Sequence, residues 1–174
     1  HRPDLLNLQL DKEGFVNLDE LVTKLRLHKS FKWVTRKDII DLVRVDEKHR
    51  FEIVEINGVQ KIRARYGHNK ELPVDIKYPE AKDVEILFHG TSVKVIPWIL
   101  REGLLPINRK YVHLSPTEDD ALKVARRRKG KIAILRVDAK KFIEDGGKIF
   151  KATEKVYLAK HIPPKYIHIH RYGI

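Results

Sequence analysis

Val84-Glu85-Ile86-Leu87-Phe88-His89-Gly90-Thr91 reads as a buried strand running into a polar end, and the elements around it decide the fold. Downstream, the apolar spacing predicts a helix from about Val93 to Glu102, stopped at Gly103. A strand over Tyr111 to Leu114 comes next. A helix over Thr117 to Arg128 follows, opened by Glu118, Asp119 and Asp120, then a strand over Ile132 to Val137. Two late strands are predicted at Val156 to Ala159 and Tyr166 to His170. Short strands interleaved with helices give a mixed β domain over residues 84–174.

Upstream the pattern differs. Leu18, Leu21, Val22 and Leu25 follow helical spacing behind Asn17, a suitable N-cap with Glu20 three residues on. A second helix is predicted from Thr35 to Val45, capped by Thr35, with Asp38 in its first turn. From Arg50 to Arg65 the apolar residues alternate around Asn57-Gly58, a step that favours a tight hairpin. Helix, helix, hairpin over residues 1–68 reads as a winged-helix module. Residues 69–83, with Pro73, Pro79 and several charges, read as a linker. The expected class is α+β in two domains.

Composition narrows the chemistry. With no cysteine among 174 residues, disulfides, thiolate metal sites and cysteine nucleophiles are excluded. No apolar run approaches membrane-spanning length, which leads to the expectation of a soluble, cytoplasmic protein. Methionine is absent even at position 1, so the chain is expected to begin inside a longer native protein. The net charge of +12 points to a polyanionic partner, although a solvated basic surface is the plain alternative. The excess is uneven: residues 1–78 carry 16 Lys+Arg against 13 Asp+Glu, and residues 79–174 carry 20 against 11. An autonomous N-terminal DNA reader would show the opposite imbalance.

Four groups of residues could carry chemistry. His89-Gly90-Thr91 would sit where a strand ends, with Gly90 letting a ligand approach the backbone, though a bare His-Gly-Thr is usually only a turn. Alternation puts Tyr111, His113 and Ser115 on one strand face, which is either a site or a solvated edge. Arg126, Arg127 and Arg128, near a helix end, either complement its dipole or bind phosphate. Arg63 and Arg65 share a face of the hairpin's second strand and could grip a nucleic-acid backbone. His168 and His170 lack a third metal ligand.

Leu10 to Val16, Asp46 to Phe51, Lys61 to His68, His89-Gly90-Thr91, Gly103 to Pro106, and Arg109 to Ser115 are six segments that, taken in order, resemble the RNA 2′-phosphotransferase family. The resemblance implies an N-terminal winged helix and a C-terminal ADP-ribosyltransferase-like domain. It also implies that His1, in His1-Arg2-Pro3, is the family's essential histidine, the arginine before it lying outside the sequence. Arg63 corresponds to the second essential arginine and Arg127 or Arg128 to the third.

By the same resemblance, His89, Gly90, Thr91, His113, Ser115 and Val156 line the NAD site, and Arg65, His68, Arg109 and Arg126 assist with RNA phosphates. Val156 stands where related ADP-ribosyltransferases often carry a catalytic glutamate. The implied chemistry starts with attack of an RNA 2′-phosphate on the nicotinamide-bearing ribose carbon of NAD. The ADP-ribose 2″-hydroxyl then attacks that phosphorus, giving 2′-OH RNA and ADP-ribose 1″,2″-cyclic phosphate. No metal is implied, the partner is RNA such as a tRNA splice junction, and a monomer is expected. Two alternatives are an ADP-ribosyltransferase acting on nucleic-acid terminal phosphates or protein, and a winged-helix regulator without catalysis.

Overall fold

Asn17 ends a two-residue strand, β1 (Val16–Asn17), and caps the helix α1 (Leu18–Arg26) by accepting from the backbone N–H of Asp19 and Glu20. A 3-10 turn (Lys29–Phe31) leads to α2 (Arg36–Val45), which opens in a reciprocal capping box between Thr35 and Asp38. The hairpin β2 (Phe51–Ile56) and β3 (Val59–Ala64) turns at Asn57 and Gly58, with φ of 51° and 77°. Such left-handed angles at both central residues match the strand twist, as the sequence predicts. The three strands form one antiparallel sheet in the order β1-β3-β2. Val16, Leu18 and Ile62 form its core, covered by Leu21, Ile39, Ile40 and Val43 from the two helices.

The computed structural model describes all of residues 1–174, which form two units, His1–Lys77 and Tyr78–Ile174. The boundary falls inside the stretch read as a linker, and both sides of that stretch are tied down. Val74 is buried and the Asp75 N–H donates to the Lys12 carbonyl, within the first unit. Ala81 N–H donates to Ile149 O and Lys151 N–H to Pro79 O, within the second. Proline and charge marked the crossing but did not keep it free of backbone hydrogen bonds.

The second unit holds β4 (Ile86–Ser92), α3 (Ile96–Glu102), β5 (Val112–Leu114), α4 (Glu118–Ala125) and β6 (Ile132–Asp138). After these come α5 (Ala139–Glu144), β7 (Phe150–Thr153), β8 (Val156–Ala159) and β9 (Ile167–Tyr172). Two antiparallel sheets result, β4-β6-β9 and β5-β8-β7, linked where Phe88 and Ser115 exchange both backbone hydrogen bonds at 2.8 Å. Leu87, Leu114, Leu135, Val137, Leu104 and Ile162 lie in one core, and α4 seals a second small core with Ala121 and Ala125 against Ile132 and Ile134. The whole is an α+β protein, and no helix is long and apolar enough to cross a membrane.

Three expectations change. His89-Gly90-Thr91 does not end its strand; it lies inside β4, opposite Leu135, Ile134 and Ala133 of β6, because cores on both faces carry the ladder through to Ser92. The helix expected to reach Arg128 stops at Ala125, so Arg126, Arg127 and Arg128 occupy the turn after it. Another helical turn would set Lys123 against Arg127 and Arg126 against Lys129, like charges at i,i+4 and i,i+3, and Gly130 at φ 85° ends the segment. The helix expected from Val93 begins as a 3-10 turn (Val93–Val95), with Ser92 accepting from the Lys94 N–H.

Candidate active site

In the first unit, Arg63 sits on β3 directly opposite Glu52 of β2, and its Nε donates to that carboxylate. Its Nη1 donates to the Glu13 carbonyl at 3.0 Å, and its guanidinium lies 4.4 Å from the centre of the Phe15 ring. Both contacts come from one turn, which Asp11 closes by accepting from the N–H groups of Glu13 and Phe15. A carboxylate, a carbonyl and an aromatic face thus hold this arginine, a mode suited to a planar delocalised cation.

Arg65 extends the same ladder by one rung, its N–H donating to Arg50 O at 2.8 Å, and His68 is buried nearby in sequence. The turn before β2 is organised by Asp46, whose carboxylate accepts from the backbone N–H of Lys48 and Arg50 and from the Arg50 side chain. The Arg50 guanidinium holds the Asp46 carboxyl down at about 2. His1 is exposed ahead of the Pro3–Leu6 turn, and no hydrogen bond joins it to Arg63.

In the second unit, β4 and β5 bring two histidines together. His89 Nδ1 donates to the His113 carbonyl at 2.9 Å, and His113 Nδ1 donates to the Tyr111 carbonyl at 3.1 Å. A proton on Nδ1 fixes the neutral tautomer in which Nε2 is an acceptor; this assignment follows from the carbonyl partners. Burial lowers the pKa of both rings, His113 to about 4, with further lowering of His89 by Arg128 and of His113 by Arg109. Each ring therefore stays neutral at pH 7 and feels the charge of one arginine.

Thr91 shares the β4 face of His89 by strand alternation and is buried. Ser115 is also buried, where β5 meets β4. Val156 begins β8, and continuing the Leu114–Tyr157 register by one step brings it opposite Ser115. His89 and His113 thus meet where β4 joins β5, with Ser115 at the link itself and Thr91 further along β4.

Gly90 does something other than expected. A Cβ there would stand 2.1 Å from the Ala121 carbonyl oxygen and 2.8 Å from the Ala125 Cβ, so its open side is filled by α4 rather than by a ligand. Glycine is what lets this helix press onto the strand and carry its arginine turn to the vicinity of His89. Arg126, Arg127 and Arg128 are all exposed, anchored through backbone bonds to Leu122, Val124 and Ala125. Among them, Arg128 is the one whose charge depresses His89. Arg109 is exposed before β5. His170 faces Glu118 at 2.9 Å and sets its ring edge-on to Phe88, away from any metal-like cluster.

Sequence reading missed the anchors of Arg63. Glu52 lay in the hairpin's alternation, where the register set by Asn57-Gly58 puts it opposite Arg63, so that signal was present. Glu13 acts through its carbonyl, which no side-chain pattern reveals.

The chain is thus α+β, with a clamped arginine in one unit and a pair of neutral, carbonyl-locked histidines in the other. The sequence model of the RNA 2′-phosphotransferase, Tpt1 / KptA family matches residues 1–161. A Pyrococcus abyssi protein named Probable RNA 2′-phosphotransferase is 42% identical over 163 residues, covering 94% of this chain and 85% of its own. The Pyrococcus horikoshii protein of that name is 42% identical over 163 residues, covering 94% of this chain and 88% of its own. Probable RNA 2′-phosphotransferase 1 of Archaeoglobus fulgidus is 41% identical over 170 residues, covering 96% and 74%. The chain belongs to the RNA 2′-phosphotransferase, Tpt1 / KptA family.

Proposed function

We propose that this chain removes an internal 2′-phosphate from RNA, such as a tRNA splice junction, with NAD consumed as co-substrate. The observation that carries the reading is the histidine pair, in which His89 and His113 each give Nδ1–H to a backbone carbonyl and each lie in the field of an arginine. Residues 1–77 are read as a winged-helix module, on the order helix, helix, hairpin and the sheet β1-β3-β2. Residues 78–174 are read as an ADP-ribosyltransferase-like domain.

The donor set fits NAD. Nδ1-protonated rings offer Nε2 acceptors suited to ribose hydroxyls, and Thr91 and Ser115 add hydroxyl groups beside them. NAD, when bound, supplies an electrophilic ribose carbon with nicotinamide as leaving group. Val156 puts no carboxylate at the position where related ADP-ribosyltransferases often carry a glutamate that activates a hydroxyl acceptor. A 2′-phosphate needs no such help, being an anion already. That favours a phosphate acceptor over an alcohol.

Arg63, Arg127 and Arg128 take the phosphate charge in this reading, Arg128 foremost, together with His1, and Arg65, His68, Arg109 and Arg126 assist along the RNA. Fixed guanidinium groups stabilise charge that moves during reaction without reorganising as water must. The test is incubation with NAD and a short RNA carrying one internal 2′-phosphate. Expected products are nicotinamide, 2′-OH RNA and ADP-ribose 1″,2″-cyclic phosphate. Equal nicotinamide release on RNA lacking that phosphate, or ADP-ribose left on the acceptor, would refute the reading.

A further inference from the structure

Arg26-Leu27-His28-Lys29-Ser30-Phe31-Lys32-Trp33 is a run of eight exposed residues at the end of α1 and through the 3-10 turn. Leu27, Trp33 and Phe31 are exposed to 78%, 67% and 43%. Large apolar side chains presented together in this way usually mark a binding surface. The segment is well held. His28 N–H donates to Leu25 O, Phe31 N–H to His28 O and Val34 N–H to Phe31 O, while Val34 itself is buried. Trp33 Nε1 donates to the Ser30 carbonyl at 3.0 Å, so its one polar atom is satisfied locally while the ring remains exposed.

Charge says what such a surface suits. Between Glu20 and Asp38 there is no acidic residue, while Lys24, Arg26, Lys29, Lys32, Arg36 and Lys37 supply six cations. Lys24, Arg36 and Lys37 pair with Glu20, Asp19 and Asp41. Arg26, Lys29 and Lys32 make no ion pair, and they flank the two aromatic rings. Protein interfaces deplete lysine at their cores, whereas single-stranded nucleic acid binds where cations track phosphates and aromatic faces stack bases.

We propose that residues 26–33 form a docking surface for unpaired RNA, with Trp33 and Phe31 stacking bases and Arg26, Lys29 and Lys32 meeting the flanking phosphates. The surface shares no residue with the site described above and reads RNA whether or not it carries a 2′-phosphate. It rests on the phosphotransferase reading only for the origin of that RNA.

The chain has two tryptophans, Trp33 and Trp98, so Trp98→Phe leaves Trp33 as sole fluorophore. An unphosphorylated single-stranded oligoribonucleotide is expected to quench it saturably, and duplex RNA of the same sequence to bind about tenfold more weakly. By anisotropy of a labelled oligonucleotide, Trp33→Ala should weaken binding about tenfold. In Lys29→Ala/Lys32→Ala, the log–log salt slope should fall by about 0.7 for each phosphate that the protein no longer neutralises. On 2′-phosphorylated substrates, Trp33→Ala should raise KM for a long single strand, leave kcat unchanged, and leave a trinucleotide unaffected. An unchanged melting midpoint would show that the variant is folded.

Absence of quenching, equal affinity of Trp33→Ala, or quenching that follows protein concentration without RNA, as in self-association, would overturn the proposal. Quenching by RNA in a protein that releases no nicotinamide would uphold the surface while refuting the reaction. Normal turnover without quenching would do the reverse.

Discussion

Arg63 and the turn of Arg126, Arg127 and Arg128 present guanidinium groups in opposite ways. Arg63 is held by Glu52, by the Glu13 carbonyl and by the Phe15 ring. The turn arginines extend from exposed backbone, with only main-chain bonds fixing where they start. An arginine has about 2 kcal/mol of rotamer entropy to lose, and in Arg63 the fold has already removed much of it. An anion meeting Arg63 finds a prepared partner whose charge is partly shared with Glu52. An anion meeting the turn finds full charge on exposed side chains that no carboxylate pairs. The first suits holding a phosphate through a change of charge, the second suits capture.

Arg63→Ala should therefore give the largest effect, a fall in kcat of about 10²–10³. Arg63→Lys should recover little, since an ammonium group cannot make the Glu52, Glu13 and Phe15 contacts together. Single-turnover rates decide it, and a loss below about threefold would make Arg63 a structural residue only.

Next comes the acid side of the histidine pair, which the nearby arginines help to keep neutral. Burial, then Arg109, depresses His113 to about 4, below its unfolded value near 6.5. The unfolded chain therefore binds the proton first, so this contribution is complete above pH 6.5 and is lost as pH falls from there through 4. Denaturant unfolding should show roughly 3 kcal/mol at most of such pH dependence from His113, and His113→Asn should remove that share while leaving the same-direction share of His89, whose pKa burial also lowers. A wild-type profile flat between pH 4 and 6.5 would refute the neutral, buried ring.

Much of this was legible in sequence where local chemistry decides structure. Asn17, Thr35 and Asn57-Gly58 act through their nearest neighbours, and caps and hairpin stand where those residues put them. What escaped depends on distant partners. Whether His89-Gly90-Thr91 ends a strand turns on β6 and on α4 pressing against Gly90, over thirty residues away in each case. The strand β7 and the helix α5 carry little periodicity of their own, although Asp138 before Ala139 was a usable cap signal. The sequence offers no choice among the three arginines, and in the fold it is the charge of Arg128 that lowers the His89 pKa.

That separation sets the third expectation. Arg128→Ala should lower kcat/KM by about ten- to a hundredfold, less than Arg63→Ala because exposed cations individually contribute less than a clamped one, and more than Arg126→Ala or Arg127→Ala because its charge is the one felt at His89. It should also raise the His89 pKa, since the Arg128 charge now opposes protonation of that ring. Ring proton chemical shifts followed against pH would read this directly. Equal losses from all three substitutions, with no movement of His89, would mean that the turn acts as a diffuse positive field.

The smallest effect tests the clamp itself. Glu52→Gln keeps the size of the residue opposite Arg63 but removes its charge, leaving the Glu13 carbonyl and the Phe15 ring in place. Two consequences then oppose each other. The arginine becomes a stronger attractor for phosphate, which lowers KM for RNA, and it becomes less well oriented, which lowers kcat. A fall in kcat of about three- to tenfold with KM unchanged or reduced is expected, since Gln keeps an acceptor for Arg63 Nε and loses only the charge assistance, on the order of 1 kcal/mol. A rise in kcat would mean that Glu52 restrains Arg63 rather than orienting it, and the distinction between a prepared arginine and an exposed one would then lose its catalytic meaning.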